Sequence, residues 1–415
     1  MRLVPPTRPR ASRVATIAFI ACLASSLLGA NLASAGTPSR RTQPAAYVVQ
    51  KANLGLAPGT GFFLDEAHIR KGLDDFEKLG VHWIRSSIPW QNFEPDDPKA
   101  LPKGAPQYNW KGVDALVATL REPKYKGHFS LIVQVDGPPA WAMVPSRIGH
   151  IACADPAPFD LPSYARAIAA LATHLKSDAH VFELENSPNI GRRSPKHADP
   201  IAVWPTPNPC GYAQLLKLTT AAVHALKIGA TVLVGGIGGT RTVANQRMAA
   251  DLYLLYLYAY GAGGSFDGVS YHAYSTPQLP CAPSAAICVF DPNPEHKDPY
   301  GMTNGWDRML NARRIMVANG DGAKKVWITE FGGPTDGGKG GGKMLTEQQQ
   351  AGLLTAGFQR ASQYAWVAEM CWFTYDDKGG NVQTDPGGAW MGLLRKDGTH
   401  KPSYAAYERI SAAAK

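Results

Sequence analysis

Short apolar runs recur along the chain at regular intervals, and amphipathic stretches separate them. HFSLIVQV (128–135), AHVFELE (179–185), ATVLVGG (230–236), FDGVSYHAY (266–274), KVWITEF (325–331) and WVAEMCWF (366–373) are apolar over most of their length. They read as strands covered on both faces. VHWIRSS (81–87) is another strand, and VQKANLGL near residue 50 is a weaker one. The stretches between them have helical spacing. In 68–80 the apolar positions are Ile69, Leu73 and Phe76, and Gly80 is the stop. Further helices are expected at 113–120, 163–175, 212–226, 245–261, 306–320, 346–361 and 401–414. Eight strands and eight helices in alternation imply a parallel sheet, and eight units favour closure as a single (β/α)₈ TIM barrel over an open doubly wound sheet. The glycines of VGGIGG (234–239) lack a following Lys-Ser/Thr and read as a tight turn rather than a phosphate cradle.

Composition sets the size and the compartment. The 415 residues are 45% apolar and 18% charged, enough for a large core and far from a disordered composition. Residues 1–35 carry four Arg and no acid, then an apolar run, then ASA before Gly36. That is the pattern of a signal peptide cleaved near Ala35, and it places the chain outside the cell or in its envelope. Residues 36–49 form a flexible leader and 50–415 the barrel. Removing four Arg from a net charge of +9 leaves +5, with no basic run, so neither nucleic-acid binding nor membrane attachment after cleavage is expected. A monomer is expected.

An oxidising compartment permits disulfides. Cys281 with Cys288, and Cys153 with Cys210, are the pairs to expect, and Cys371 in its apolar run is a buried free thiol. Metal-ligand spacings such as C-x-x-C or H-E-x-x-H are absent. Neither a metal nor an organic cofactor is expected.

Barrel enzymes place their chemistry at the C-terminal strand ends. Those ends hold Arg85, Asp136, Trp141, Glu185, Asn186, Ser187, His272, Tyr274, Glu330 and Trp372. Carboxylates, a His, an Arg and large aromatics on one face suit a saccharide, whose C–H face stacks while its hydroxyls are read by hydrogen bonds. Each residue alone also has a structural reading, as a core aromatic or a salt-bridge partner.

The blocks GVHWIRSSIPWQNFEP, YNWKGVDALV, GPPAWA, ELENSPN, FDGVSYHAY, VWITEFG, CWFTYDD and GLLRKDGTHKPSYAAY resemble, in order and spacing, the clan A glycoside hydrolases, among them families 5 and 39. The resemblance spans nearly all of residues 50–412. It implies a retaining glycosidase acting on a poly- or oligosaccharide, with Glu330 as nucleophile. Arg85, His272, Tyr274 and a platform Trp372 would surround the sugar, and Asn186 would bind its 2-hydroxyl. One position departs from the pattern. Where the clan carries the acid/base Glu of its N-E-P block, this chain carries Ser187.

A retaining mechanism needs two carboxyls roughly 5–5.5 Å apart, and a serine hydroxyl is far too weak an acid to protonate a leaving group. Three outcomes follow. Glu185 supplies the proton, although on a regular strand it would start roughly 6–7 Å lower in the barrel than Ser187. Asp136 leans in instead. Or hydrolysis is lost and a carbohydrate-binding pseudoenzyme remains.

Overall fold

The computed structural model describes residues 48–59, 66–144, 157–191, 204–275, 305–335, 344–377 and 390–415. Eight parallel strands close into a ring: β1 (Leu54–Ala57), β2 (Trp83–Ser87), β3 (Ser130–Val135), β4 (Val181–Asn186), β5 (Thr231–Gly238), β6 (Gly268–His272), β7 (Lys325–Phe331) and β8 (Val367–Phe373). Each strand pairs with its sequence neighbours, and β8 returns to β1 with Leu56 opposite Trp372. The helices are α1 (Glu66–Leu79), α2 (Trp90–Phe93), α3 (Lys111–Leu120), α4 (Leu161–His174), α5 (Pro209–Ala225), α6 (Ala250–Ala259), α7 (Gly305–Ala318), α8 (Glu347–Ala361) and α9 (Pro402–Ala413). The single (β/α)₈ barrel expected from the alternation is the fold. Among the described residues no helix is long and apolar enough to cross a membrane.

Local chemistry sets the boundaries. The Asp160 side chain caps α4 through the Ser163 N–H, Asn208 caps α5 through Gly211, and Thr346 and Gln349 form a reciprocal capping box on α8. Gly80, at φ +66°, follows α1 in the left-handed conformation that suits glycine at a helix end. The expected helix at 245–261 is shorter than its apolar pattern. Its first residues instead form a small hairpin in which Val243 and Ile190 both bridge Arg247. The four-residue helix α2, entered through Pro89, was not legible in the periodicity.

Two apolar clusters divide the molecule. The large one fills the space between strands and helices. The small one lies inside the barrel, where Ala57, Ile132, Val181, Leu233 and Cys371 meet Trp83, Trp327 and Phe373. Membership of these clusters shows which way each strand residue points, because strand side chains alternate. On β8, Met370 and Trp372 face the helices while Cys371 and Phe373 face inward.

Cys371 is a buried free thiol, as expected. Cys153, Cys281 and Cys288, and with them a member of each expected bridge, lie outside the described residues, as does the expected signal peptide.

Candidate active site

Arg85, inward on β2, is the hub of the C-terminal end. Its Nε and Nη2 both reach the Glu183 carboxylate, its Nη1 donates to Glu330 Oε1 at 2.8 Å, and Nη2 also donates to Asn186 Oδ1 at 2.9 Å. Glu183 further accepts the Ser270 hydroxyl at 2.8 Å and the Gly236 N–H at 3.3 Å. Burial alone would push the guanidinium's pKa down, but the charges of Glu183 and Glu330 outweigh it and hold it above its ordinary value. Such a buried, bidentate ion pair fixes geometry, and losing one partner leaves an uncompensated charge.

Glu330, near the end of β7, has two donors and a histidine ring around it. Arg85 holds Oε1. The Tyr274 hydroxyl donates to Oε2 at 2.7 Å, and His272 Nδ1 stands 3.3 Å from the same oxygen. Burial raises the carboxyl's pKa above the usual Glu value, while Arg85 and Tyr274 oppose the rise.

His272 is itself driven down to about 3 by burial and by the Arg85 charge, so the ring is neutral. Its Nε2 is buried against Gly236 with no hydrogen-bond partner among the described residues. At 3.3 Å and without hydrogen-bond geometry, Nδ1 stands beside Glu330 rather than bonded to it. Ser187 Oγ lies 3.2 Å from that same Nδ1. Serine, histidine and glutamate therefore meet here without forming a hydrolytic triad, which needs the hydroxyl and the carboxylate on opposite ring nitrogens.

The β4 corner departs from a regular strand. Glu185 has φ +71° and Ser187 φ +49°, both in the left-handed region. The ladder to β5 pairs Leu184 with Val234 and Asn186 with Gly236. Tyr212 of α5 bridges the kink: its hydroxyl donates to the Leu184 carbonyl and accepts the Gly235 N–H, each at 2.6 Å. Gly235 has no room for a Cβ against the Leu184 carbonyl, and Gly236 has none against the His272 ring. The glycines expected as a tight turn are thus strand residues that let two neighbours approach.

This kink overturns the premise under which Glu185 would share Ser187's face. Glu185 is 1% exposed, and its charge acts on Tyr164 of α4, Tyr212 of α5 and Tyr253 of α6. Its carboxyl therefore lies on the helix side of the sheet. There Glu185 faces the Trp204 indole N–H, and the Tyr253 hydroxyl lacks a hydrogen-bond partner among the described residues. Burial, then the charge of Asp136, pushes the Glu185 carboxyl well above its usual range. Asn186 takes the inward place, with Oδ1 committed to Arg85 and its NH₂ uncommitted among the described residues.

Three other sequence candidates sit differently from expectation. Trp372 is fully buried against Phe331 on the helix side, its indole donating to the Met391 carbonyl at 3.2 Å. Phe373 is the inward, half-buried aromatic at the end of β8, edge-on to Tyr274 with ring centres 6.5 Å apart. Trp141 packs edge-on against Trp90 and donates to the Glu94 carbonyl at 3.2 Å. Asp136 is buried at the end of β3. Burial raises its pKa, the Gln134 side chain and Arg85 oppose that rise, and Glu183 adds to it.

The structure thus brings Arg85, Asn186, Ser187, His272, Tyr274 and Glu330 together and puts Glu185 and Trp372 on the helix side of the sheet. Sequence reasoning missed Glu183 and Phe373. Strand alternation carried both signals: Glu183 is two residues beyond inward Val181, and Phe373 two beyond inward Cys371. Among the described residues no group of three or more His, Cys, Asp or Glu is placed to hold a metal ion.

No family model and no curated protein sequence matches the chain. Solved structures match in fold. A family 39 glycoside hydrolase from the gut symbiont Bacteroides cellulosilyticus WH2 aligns at TM-score 0.59 and 20% identity, over 88% of this chain and 65% of that one. A monomeric beta-xylosidase from Caulobacter crescentus CB15 aligns at 0.58 and 18%, over 89% and 69%. A family 5, subfamily 18 glycoside hydrolase from Bifidobacterium longum subsp. infantis aligns at 0.58 and 14%, over 89% and 80%. The chain spans slightly less than two thirds of the first of these. At such identities the likeness establishes the barrel fold.

Proposed function

We propose that this chain is an exported glycoside hydrolase that acts on a saccharide by double displacement, with Glu330 as nucleophile and without a carboxyl acid on β4. The carrying observation is the setting of Glu330, a buried carboxylate at the C-terminal end of β7 with Arg85, Tyr274 and His272 around it. Arg85 and Tyr274 hold the group in one orientation and oppose the rise that burial causes, which favours the ionised form that attack on an anomeric carbon requires. The solved structures that share the fold carry glycoside hydrolase and xylosidase names, which supports the class. The basic, apolar and small-residue pattern of residues 1–35 supports export.

Asn186, Tyr274 and Phe373 are the residues this reading assigns to the sugar. The Asn186 amide reads a hydroxyl next to the reacting carbon, and the Phe373 ring offers an apolar face to the C–H side. Ser187 contacts the departing group from its place beside His272. Trp372 instead supports the strand from the helix side, and Glu183 holds Arg85.

A panel of nitrophenyl glycosides tests the proposal. Wild-type chain should hydrolyse at least one member, and Glu330→Gln should lower that rate by about four orders of magnitude or more. The variant should keep its circular dichroism and its saccharide binding. Hydrolysis that survives Glu330→Gln contradicts the proposal.

Ser187 favours one second reading, a saccharide-binding protein that no longer hydrolyses. Tight oligosaccharide binding with no cleavage of any activated glycoside would establish that reading.

A further inference from the structure

We propose that the bond this site cleaves joins a sugar to an acidic aglycone, a phenol or a carboxylic acid, rather than one sugar to another. The inference rests on Glu330 as nucleophile and follows from what surrounds Ser187. A bond between sugars breaks only if the departing alkoxide receives a proton as it leaves, because an alcohol is a poor leaving group.

The described residues hold no group placed to give that proton. The Ser187 hydroxyl is an alcohol itself. His272 is neutral, and its Nδ1 shares a hydrogen bond with Ser187 Oγ. The Tyr274 proton is directed at Glu330. Glu183 is held by Arg85 on both oxygens and is fully buried. Glu185 is buried on the helix side of the sheet, beside Tyr164 and Tyr212, and the Asp136 carboxyl is buried against the Gln134 side chain. The nucleophile half of the site, by contrast, is complete. A site that attacks well and protonates poorly suits a leaving group stable as an anion.

The chemistry balances without an acid. A Glu330 oxygen attacks the anomeric carbon and forms an ester. The bond from that carbon to the aglycone oxygen breaks, and its electron pair departs on a phenolate or carboxylate. Water then attacks the same carbon, the ester to Glu330 breaks, and the water's proton passes to solvent. The products are the free sugar, the aglycone anion and a proton. A half-buried serine beside the leaving group also leaves room for a small anion to replace water in the second step.

The test uses full-length mature protein and one sugar, chosen from xylosyl, glucosyl, galactosyl, mannosyl and arabinosyl nitrophenyl glycosides by activity. Nitrophenyl, phenyl, benzoyl and methyl derivatives of that sugar and its disaccharide are then compared. The proposal expects nitrophenyl and benzoyl derivatives to turn over, and methyl glycoside and disaccharide to be slower by roughly 10²–10⁴-fold or more, the usual worth of general acid help. Phenyl should fall between them. Added sodium azide should yield a glycosyl azide from wild-type protein. Benzoyl turnover well above nitrophenyl turnover points to ester substrates, and comparable turnover of the two to acidic aglycones generally.

Disaccharide cleavage as fast as nitrophenyl glycoside cleavage overturns the proposal, and loss of that cleavage in Asp136→Asn or Glu185→Gln would then identify a relocated acid. Activity that persists in Glu330→Gln overturns instead the reading on which the proposal rests, so the two failures are distinct.

Discussion

The β6–β7 corner and the β4 corner of this barrel face the same site and are built to different standards. At β6–β7 both oxygens of Glu330 have a partner: Arg85 on one, Tyr274 on the other. At β4 two residues sit at positive φ, the ladder to β5 is bridged by a tyrosine hydroxyl, and Ser187 stands against His272. Strain of this kind costs on the order of 1–3 kcal/mol per residue and persists only where its surroundings impose it. Tyr212, Gly235 and Gly236 are the surroundings that impose it here. On the proposed mechanism, the difference would make the two halves of a double displacement separable in structure. The barrel would then hold an attacking carboxylate rigidly without a carboxyl acid on β4.

Restoring the missing half is the strongest way to break that contrast. Ser187→Glu should raise cleavage of a methyl glycoside or disaccharide by roughly 10²–10⁴-fold while changing nitrophenyl glycoside cleavage little. The pH profile should change with it. Wild-type activity needs ionised Glu330, whose pKa burial raises above the ordinary Glu value. Activity is therefore lost as pH falls through that raised pKa, and it stays flat on the alkaline side because no acid must remain protonated. Ser187→Glu adds an alkaline limb and makes the profile bell-shaped. No gain on the methyl glycoside and an unchanged profile would mean that position 187 does not face the leaving group.

Less of the site than of the fold was legible in the chain. Eight apolar runs and their intervening helical periods sufficed for the barrel, because every strand is covered on both faces and each helix has one buried stripe. Arg85, His272, Tyr274 and Glu330 followed from their place at strand ends. Glu185 was misplaced because a φ of +71° cannot be read from residue types, and without that kink it would point inward with Glu183. Trp372 was misplaced for the opposite reason. There β8 is regular, and simple alternation from inward Cys371 already puts Phe373 in the barrel and Trp372 against the helices.

That second misplacement sharpens the comparison through a smaller effect. Trp372→Ala removes a fully buried indole and should cost about 3–5 kcal/mol of stability, with KM little changed in whatever folds. Phe373→Ala should cost less stability and weaken saccharide binding about tenfold, near the upper end of what an aromatic stacking contact is worth. Chemical denaturation and KM on the best nitrophenyl glycoside separate the two. A KM effect at Trp372 with none at Phe373 would return the platform role to the tryptophan.

The claim at the centre of the account is that Glu330 attacks the anomeric carbon. Dinitrophenyl 2-deoxy-2-fluoroglycosides have a leaving group that needs no proton and a fluorine that slows release of the sugar, so the intermediate accumulates. Intact-mass and peptide mass spectrometry after incubation should find one fluorosugar per chain, esterified to Glu330, with none in Glu330→Gln. A sugar attached to any other residue, or hydrolysis of the reagent with no covalent intermediate at all, would contradict it.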